Sequence, residues 1–119
     1  MPMQLSVEFA FCAAHRLPYY NGPCSRLHGH NYKLQIVVEG TVNPKDGMLQ
    51  DFEEIRRKVW ESTLSNCDHH NLNDVPGLEN STCENIAIYV WRALRPQIAT
   101  LSAVTVWETY DSKCTYRGG

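Results

Sequence analysis

Two long stretches of period-two alternation, two helical apolar stripes and a further alternating run near the C-terminus predict an α+β domain. The expected architecture is a four-stranded antiparallel sheet with two helices on one face, in the order ββααββ. The 119 residues read as a single domain, 1–119, with 43% hydrophobic and 20% charged residues and no shift of composition along the chain. A chain of this length buries roughly two-thirds of its unfolded surface, so association between copies is expected on size alone.

The first strand spans Gln4 to His15: Leu5, Val7, Phe9, Phe11, Ala13 and His15 form one row, and Gln4, Ser6, Glu8 and Cys12 fall opposite. Arg16 to Leu27 holds two prolines, a glycine and an asparagine, which reads as a loop. The second strand runs from about His28 to Thr41, with His28, His30, Tyr32, Leu34, Ile36 and Val38 in one row. Asn43-Pro44-Lys45-Asp46-Gly47 is a turn, and Asp51 with Glu54 resembles a capping box that opens a helix. Phe52, Ile55, Val59 and Trp60 give that helix one apolar stripe, ending near Asn66. Cys67 to Gly77 is polar and turn-rich, a loop in which functional residues are expected.

Ser81-Thr82-Cys83-Glu84 reads as a second capping box, and Cys83, Ile86, Ala87, Val90, Trp91 and Leu94 continue as a helical stripe until Pro96. A third strand covers Leu101 to Tyr110, with Val104, Val106 and Glu108 on one face and Leu101, Ala103, Thr105 and Trp107 on the other. A turn at Asp111-Ser112 leads to a short last strand through Cys114 and Tyr116.

The net charge of −2 supplies no basic field for nucleic acid, and no apolar run is long enough to span a bilayer. Met1 to Gln4 lead into the first strand without a basic start, an apolar run or a cleavage signal, so a cytoplasmic location is expected. The five cysteines are irregularly spaced and form no CxxC pair, which argues for reduced thiols rather than a disulfide framework or a zinc ribbon.

Chemistry concentrates at Cys24-Ser25-Arg26-Leu27-His28-Gly29-His30. His28 and His30 are two apart, so on a strand both rings leave the same side. If the first two strands pair as an antiparallel hairpin, His15 joins them at one edge. Three neutral imidazoles on a rigid edge suit Zn2+, and three protein ligands leave a fourth position open for water or substrate. Cys24 has two readings. It is a thiolate activated by the nearby cation, or it is a fourth ligand that closes a structural site. Asp68 beside His69 suits a carboxylate orienting an imidazole for proton transfer. Glu108 continues a valine row, where a carboxylate is either paired and poised or reaches water at the strand end.

These residues together resemble the 6-pyruvoyl-tetrahydropterin synthase superfamily along nearly the whole chain. The resemblance lies in Ala14-His15-Arg16-Leu17-Pro18, Cys24-x-x-x-His28-Gly29-His30, Asp68-His69-His70, Thr82-Cys83-Glu84, and Glu108-Thr109 with Cys114-x-Tyr116-Arg117-Gly118. It implies a tunnelling fold (T-fold) that trimerises into a barrel and often stacks into hexamers, with active sites between subunits. It also implies 7,8-dihydroneopterin triphosphate as substrate. Residue by residue, His15, His28 and His30 would bind zinc, Cys24 would abstract a proton, and His69 oriented by Asp68 would relay one. Glu108 would anchor the pterin, with Thr82 and Cys83 bordering it, and Arg16, Arg26 and Lys113 are candidates for the triphosphate by charge alone. The three-residue spacer between Cys24 and His28 resembles the bacterial carboxy-pterin branch, whose product is 6-carboxy-5,6,7,8-tetrahydropterin. Ser81-Thr82-Cys83-Glu84-Asn85 and His30-Asn31-Tyr32-Lys33 lean toward the pyruvoyl branch. The spacer, being next to the base, is given the greater weight. A non-catalytic zinc- or pterin-binding protein is the third reading.

Overall fold

The computed structural model describes residues 2–119. Strands β1 (Pro2–His15) and β2 (His28–Thr41) pair antiparallel along their full length, Pro2 opposite Thr41 and His15 opposite His28. The register sets the two apolar rows on one face: Val7 against Ile36, Phe11 against Tyr32, Ala13 against His30. A slip of one residue would turn one whole row outward, so burial of the rows excludes it.

Helix α1 (Phe52–Val59) is capped by Asp51, whose carboxylate accepts the Glu53 N–H at 3.0 Å. Only half of the expected box forms, because Glu54 turns to Lys58 at 2.8 Å instead. The helix continues through a wider π turn (Trp60–Leu64) and a last turn (Ser65–Cys67). There Ser62 and Thr63 hydroxyls bond the carbonyls four residues back. Strand β3 (His70–Asn71) follows, then helix α2 (Cys83–Leu94), β4 (Leu101–Thr109) and β5 (Ser112–Tyr116).

The sheet has five strands, in the order β3-β1-β2-β4-β5. This corrects the four-stranded, wholly antiparallel expectation: β3 joins the edge parallel to β1, pairing His70 with Ala13 and Asn71 with Ala14. Two residues in a polar loop carry no alternation from which a strand can be read, and the pairing exists only because the loop is folded back onto β1.

Both helices pack on one face of the sheet. Ile55 and Val59 of α1, and Ile86, Val90 and Leu94 of α2, share a core with Leu34, Ile36, Val104 and Val106. Leu101 also faces this core, contrary to simple alternation along β4. The reason is a bulge: Val37 pairs with Ala103 but Val38 with Leu101, so β4 advances two residues while β2 advances one. A second irregularity falls at Glu108, with Trp107 opposite Lys113 and Thr109 opposite Ser112. The cap of α2 is displaced by one from the expected box. Thr82 is the N-cap and accepts the Asn85 N–H at 3.1 Å, which leaves Ser81 free for another role. Among the described residues no helix is long and apolar enough to cross a membrane.

Candidate active site

The β1–β2 pairing brings His15, His28 and His30 onto one face at one end of the sheet, as the alternation predicts. Their ring centroids lie 4.6 Å (His15 and His28), 5.2 Å (His15 and His30) and 4.8 Å (His28 and His30) apart. Glu108 completes the group, and one ligand atom from each of the four residues lies within 4.8 Å of the others. Glu108 Oε1 is 3.0 Å from His30 Nε2 and 3.9 Å from His15 Nε2. The bulge at Glu108 lets the end of β4 lean over the histidines, a common use of such irregularities beside functional sites.

Two of the three rings are held by a partner outside the cluster. His15, fully buried, gives its Nδ1–H to the Ser81 carbonyl at 2.8 Å, and His28 gives its Nδ1–H to the Arg26 carbonyl at 2.7 Å. These bonds select the tautomer that leaves Nε2 as a lone-pair donor. Among the described residues Nε2 of His28 and of His30 is buried without a hydrogen-bond partner, the Glu108 carboxylate being near His30 but out of alignment. Burial pushes the His15 and His30 pKa values below the usual histidine range, outweighing the opposing pull of Glu108 on both and of the Ser81 carbonyl on His15. The His15 and His30 imidazoles are therefore neutral at neutral pH. Orphaned nitrogens, neutral rings and an adjacent carboxylate form a donor set that fits a zinc ion.

The other expected residues are placed as follows. Asp68 docks on β1 by accepting the Cys12 N–H at 3.0 Å, and the His69 N–H reaches the Cys12 carbonyl. The bond from Cys12, with a smaller contribution from His69, holds the Asp68 carboxyl below the usual carboxylate range. His69 Nδ1 lies 3.0 Å from Asp68 Oδ1, its side chain is exposed, and its backbone adopts φ 61°. A left-handed conformation at a non-glycine residue stores strain of the kind seen at functional sites. A cleft of about 530 Å³ is lined by Cys12, Gly29, His30, His69 and His70, so His69 and the metal-site histidine His30 open into one space. A neighbouring cleft of about 620 Å³ is lined by His30, Tyr32, Lys33, Trp107 and Glu108.

Cys24 sits half-buried in a single turn (Pro23–Ser25), its carbonyl accepting the Leu17 N–H, and it is not a member of the four-residue ligand group. Thr82 is occupied as the α2 cap. The Cys83 thiol contacts the Val106 carbonyl and the Cys114 sulfur, each at 3.3 Å, and its pKa is raised mainly by burial. Of the cationic candidates, Lys113 lies over the Trp107 ring at 5.0 Å; Lys33, which was not among them, lies over the same ring at 4.7 Å and pairs with Glu8 at 3.1 Å.

Sequence reasoning missed Tyr32 as a site residue. Its hydroxyl, fully buried and held neutral by burial, lies 3.3 Å from both nitrogens of His15. Its place in the apolar row made it read as core. Ser81 and Asn73 were also missed, because a cap motif and a polar loop gave no sign of contact with β1.

The family model for 6-pyruvoyl tetrahydropterin synthase matches residues 4–119. The chain is 36% identical over 114 residues to a 6-carboxy-5,6,7,8-tetrahydropterin synthase of Synechocystis sp., covering 92% of this chain and 88% of the relative. It is 33% identical over 134 residues to the 6-pyruvoyl tetrahydrobiopterin synthase of Homo sapiens, covering 97% and 91%. Among solved structures, the Caenorhabditis elegans 6-pyruvoyl tetrahydropterin synthase matches with a TM-score of 0.93 at 31% identity, over 100% of this chain and 97% of that one.

Proposed function

The chain belongs to the 6-pyruvoyl tetrahydropterin synthase family, and on that premise we propose that it is a zinc-dependent lyase acting on 7,8-dihydroneopterin triphosphate. The reaction we favour consumes water and yields 6-carboxy-5,6,7,8-tetrahydropterin, acetaldehyde and triphosphate, as in the route to queuosine. The observation that carries the reaction class is the His15, His28, His30 and Glu108 cluster opening onto a cleft shared with the Asp68–His69 pair. The three-residue spacer from Cys24 to His28 carries the choice of product.

His15, His28 and His30 would hold the zinc, which when bound polarises the side-chain oxygens of the substrate and acidifies the neighbouring C–H protons. Asp68 stays ionised and keeps the His69 Nδ1–H directed at itself, so His69 Nε2 is the atom free to take up and return a proton. Cys24 supplies the base on the other side of the substrate. Glu108 lies at the border of the Trp107 cleft, where its carboxylate pairs with the guanidine-like edge of a pterin by charge-assisted hydrogen bonds. Lys33, which lies over Trp107 and lines this cleft, brings it a positive charge shared with the Glu8 carboxylate at 3.1 Å, whereas Lys113 lies over the same ring outside the cleft.

The 6-pyruvoyl-tetrahydropterin synthase reaction is the second reading, favoured by the extent of the match to the Caenorhabditis elegans structure. Both products use the same cluster. Homo-oligomerisation belongs to the proposal as well. The outer edge of β1 is paired only at Ala13 and Ala14, and β5 ends the sheet, so two strand edges offer backbone groups to further copies. A trimer-based ring, with a hexamer as its stacked form, would cover both edges and set active sites between subunits.

The deciding experiment is incubation of the zinc-loaded protein with dihydroneopterin triphosphate, with and without a chelator, followed by mass spectrometry. The favoured reading requires chelator-sensitive 6-carboxy-tetrahydropterin with acetaldehyde. Triphosphate release with 6-pyruvoyl-tetrahydropterin and no acetaldehyde would establish the second reading.

A further inference from the structure

We propose that Asn73 is a positioning residue for the metal centre, holding the two chain segments whose contact fixes the tautomer and direction of the His15 ring. The inference rests on the zinc reading of the cluster and concerns residues outside it.

His15 ends β1, and its Nδ1–H reaches the Ser81 carbonyl at 2.8 Å, with the Ser81 hydroxyl at 3.2 Å. Both residues are fully buried, so neither partner has water as a substitute. Ser81 lies 66 positions away in sequence, just before α2, and no regular element joins it to β1. Beyond the His15 ring itself, one side chain bridges the two segments. Asn73 Oδ1 accepts the Arg16 N–H at 2.8 Å, and Asn73 Nδ2 lies 3.0 Å from the Arg16 carbonyl. The same nitrogen lies 3.0 Å from the Glu79 carbonyl and 3.3 Å from the Ser81 hydroxyl. The result is a closed circuit from His15 through Arg16, Asn73 and Ser81 back to the His15 ring.

Asn73 is itself fixed. Its N–H bonds the Asn71 side chain at 3.0 Å, Asn71 pairs with Ala14 across β3–β1, and Leu72 between them is fully buried. The short parallel strand and the turn after it thus serve to deliver one amide to the end of β1. Outer partners that orient a ligating imidazole typically cost 10–100-fold in metal affinity when removed. Asn73 acts one step further out, through the acceptor of that bond.

The test uses the full chain carrying Asn73→Ala or Asn73→Asp; the latter keeps the acceptor for the Arg16 N–H but loses both amide donors. Zinc affinity is measured by competition with a chromophoric chelator. The His15 tautomer is read in the zinc-free protein from two-bond nitrogen–hydrogen correlations of the imidazole. The expected result is zinc binding weakened about 10–100-fold, with mixed His15 tautomers and an unchanged circular dichroism spectrum. Parental zinc affinity in a folded variant, or a retained single Nδ1–H tautomer, overturns the inference. If Asn73→Ala does not fold, Asn73→Asp decides by the same two readouts. If the parent chain binds no zinc, the reading of the cluster has failed, and the tautomer in the zinc-free proteins still decides the role of Asn73.

Discussion

Glu108 Oε1 stands 3.0 Å from His30 Nε2, so one carboxylate faces both the ligand cluster and the Trp107 cleft. Three histidines suffice for a zinc site, while a pterin edge needs the carboxylate. Glu108→Gln is therefore expected to keep one zinc per chain and to raise KM roughly 10–100-fold, the equivalent of a lost charge-assisted bond of about 1.5–3 kcal/mol. Metal analysis alongside steady-state kinetics checks this. Loss of zinc from Glu108→Gln would assign the residue to the metal instead.

Cys24 lies outside the group of four residues that could hold a metal ion, as the enzymatic reading expects. Cys24→Ala should retain zinc and the unfolding temperature of the parent while turnover falls by about 100-fold or more, the scale of a lost proton-transfer group. Zinc loss together with unfolding would support the non-catalytic reading.

His69 combines an exposed imidazole with a left-handed backbone. His69→Ala and His69→Gly both remove the proposed proton relay, so both should lower turnover about 100-fold. They differ in backbone only. Glycine accepts a positive φ without cost, so His69→Gly should be more stable than His69→Ala by about 1 kcal/mol in denaturant unfolding. Equal stability would show that no strain resides there.

Burial lowers the native pKa values of His15 and His30 beneath the 6.5 of an exposed histidine. As pH falls, the unfolded chain takes up protons before the native one does, so native stability drops. The zinc-free protein should be fully stable above about pH 6.5 and lose stability below it, levelling off once the native rings titrate. Thermal melts between about pH 5 and pH 8 test the sign. A stability that rises on acidification contradicts it.

Much of this site was legible because it is built on strands. Alternation put His15 in one row and His28 and His30 in the other, and pairing the two rows on one face as an antiparallel hairpin brings the end of the first strand beside the start of the second. Leu101 shows where the method stops: a bulge reverses side-chain parity without changing the residue pattern on either side. Ser81 was read as a helix cap because Ser-Thr-Cys-Glu satisfies that motif. Thr82 serves as the cap equally well, and only the packing of β1 against the start of α2 decides between them.

The sequence by itself determined the two long strands, both helices, the three histidines at one edge and the family. The strands, helices and histidines follow from periodicity or from residue types at short fixed spacings, and the family follows from the motifs the chain shares with its known members. The tertiary structure alone decided that β3 pairs parallel to β1, that Glu108 reaches the histidines, and that Tyr32 and Ser81 meet the His15 ring with Asn73 behind Ser81. These are contacts between segments far apart in the chain. Their partners are set by how loops close over a shared core, and no local pattern of residues encodes that closure.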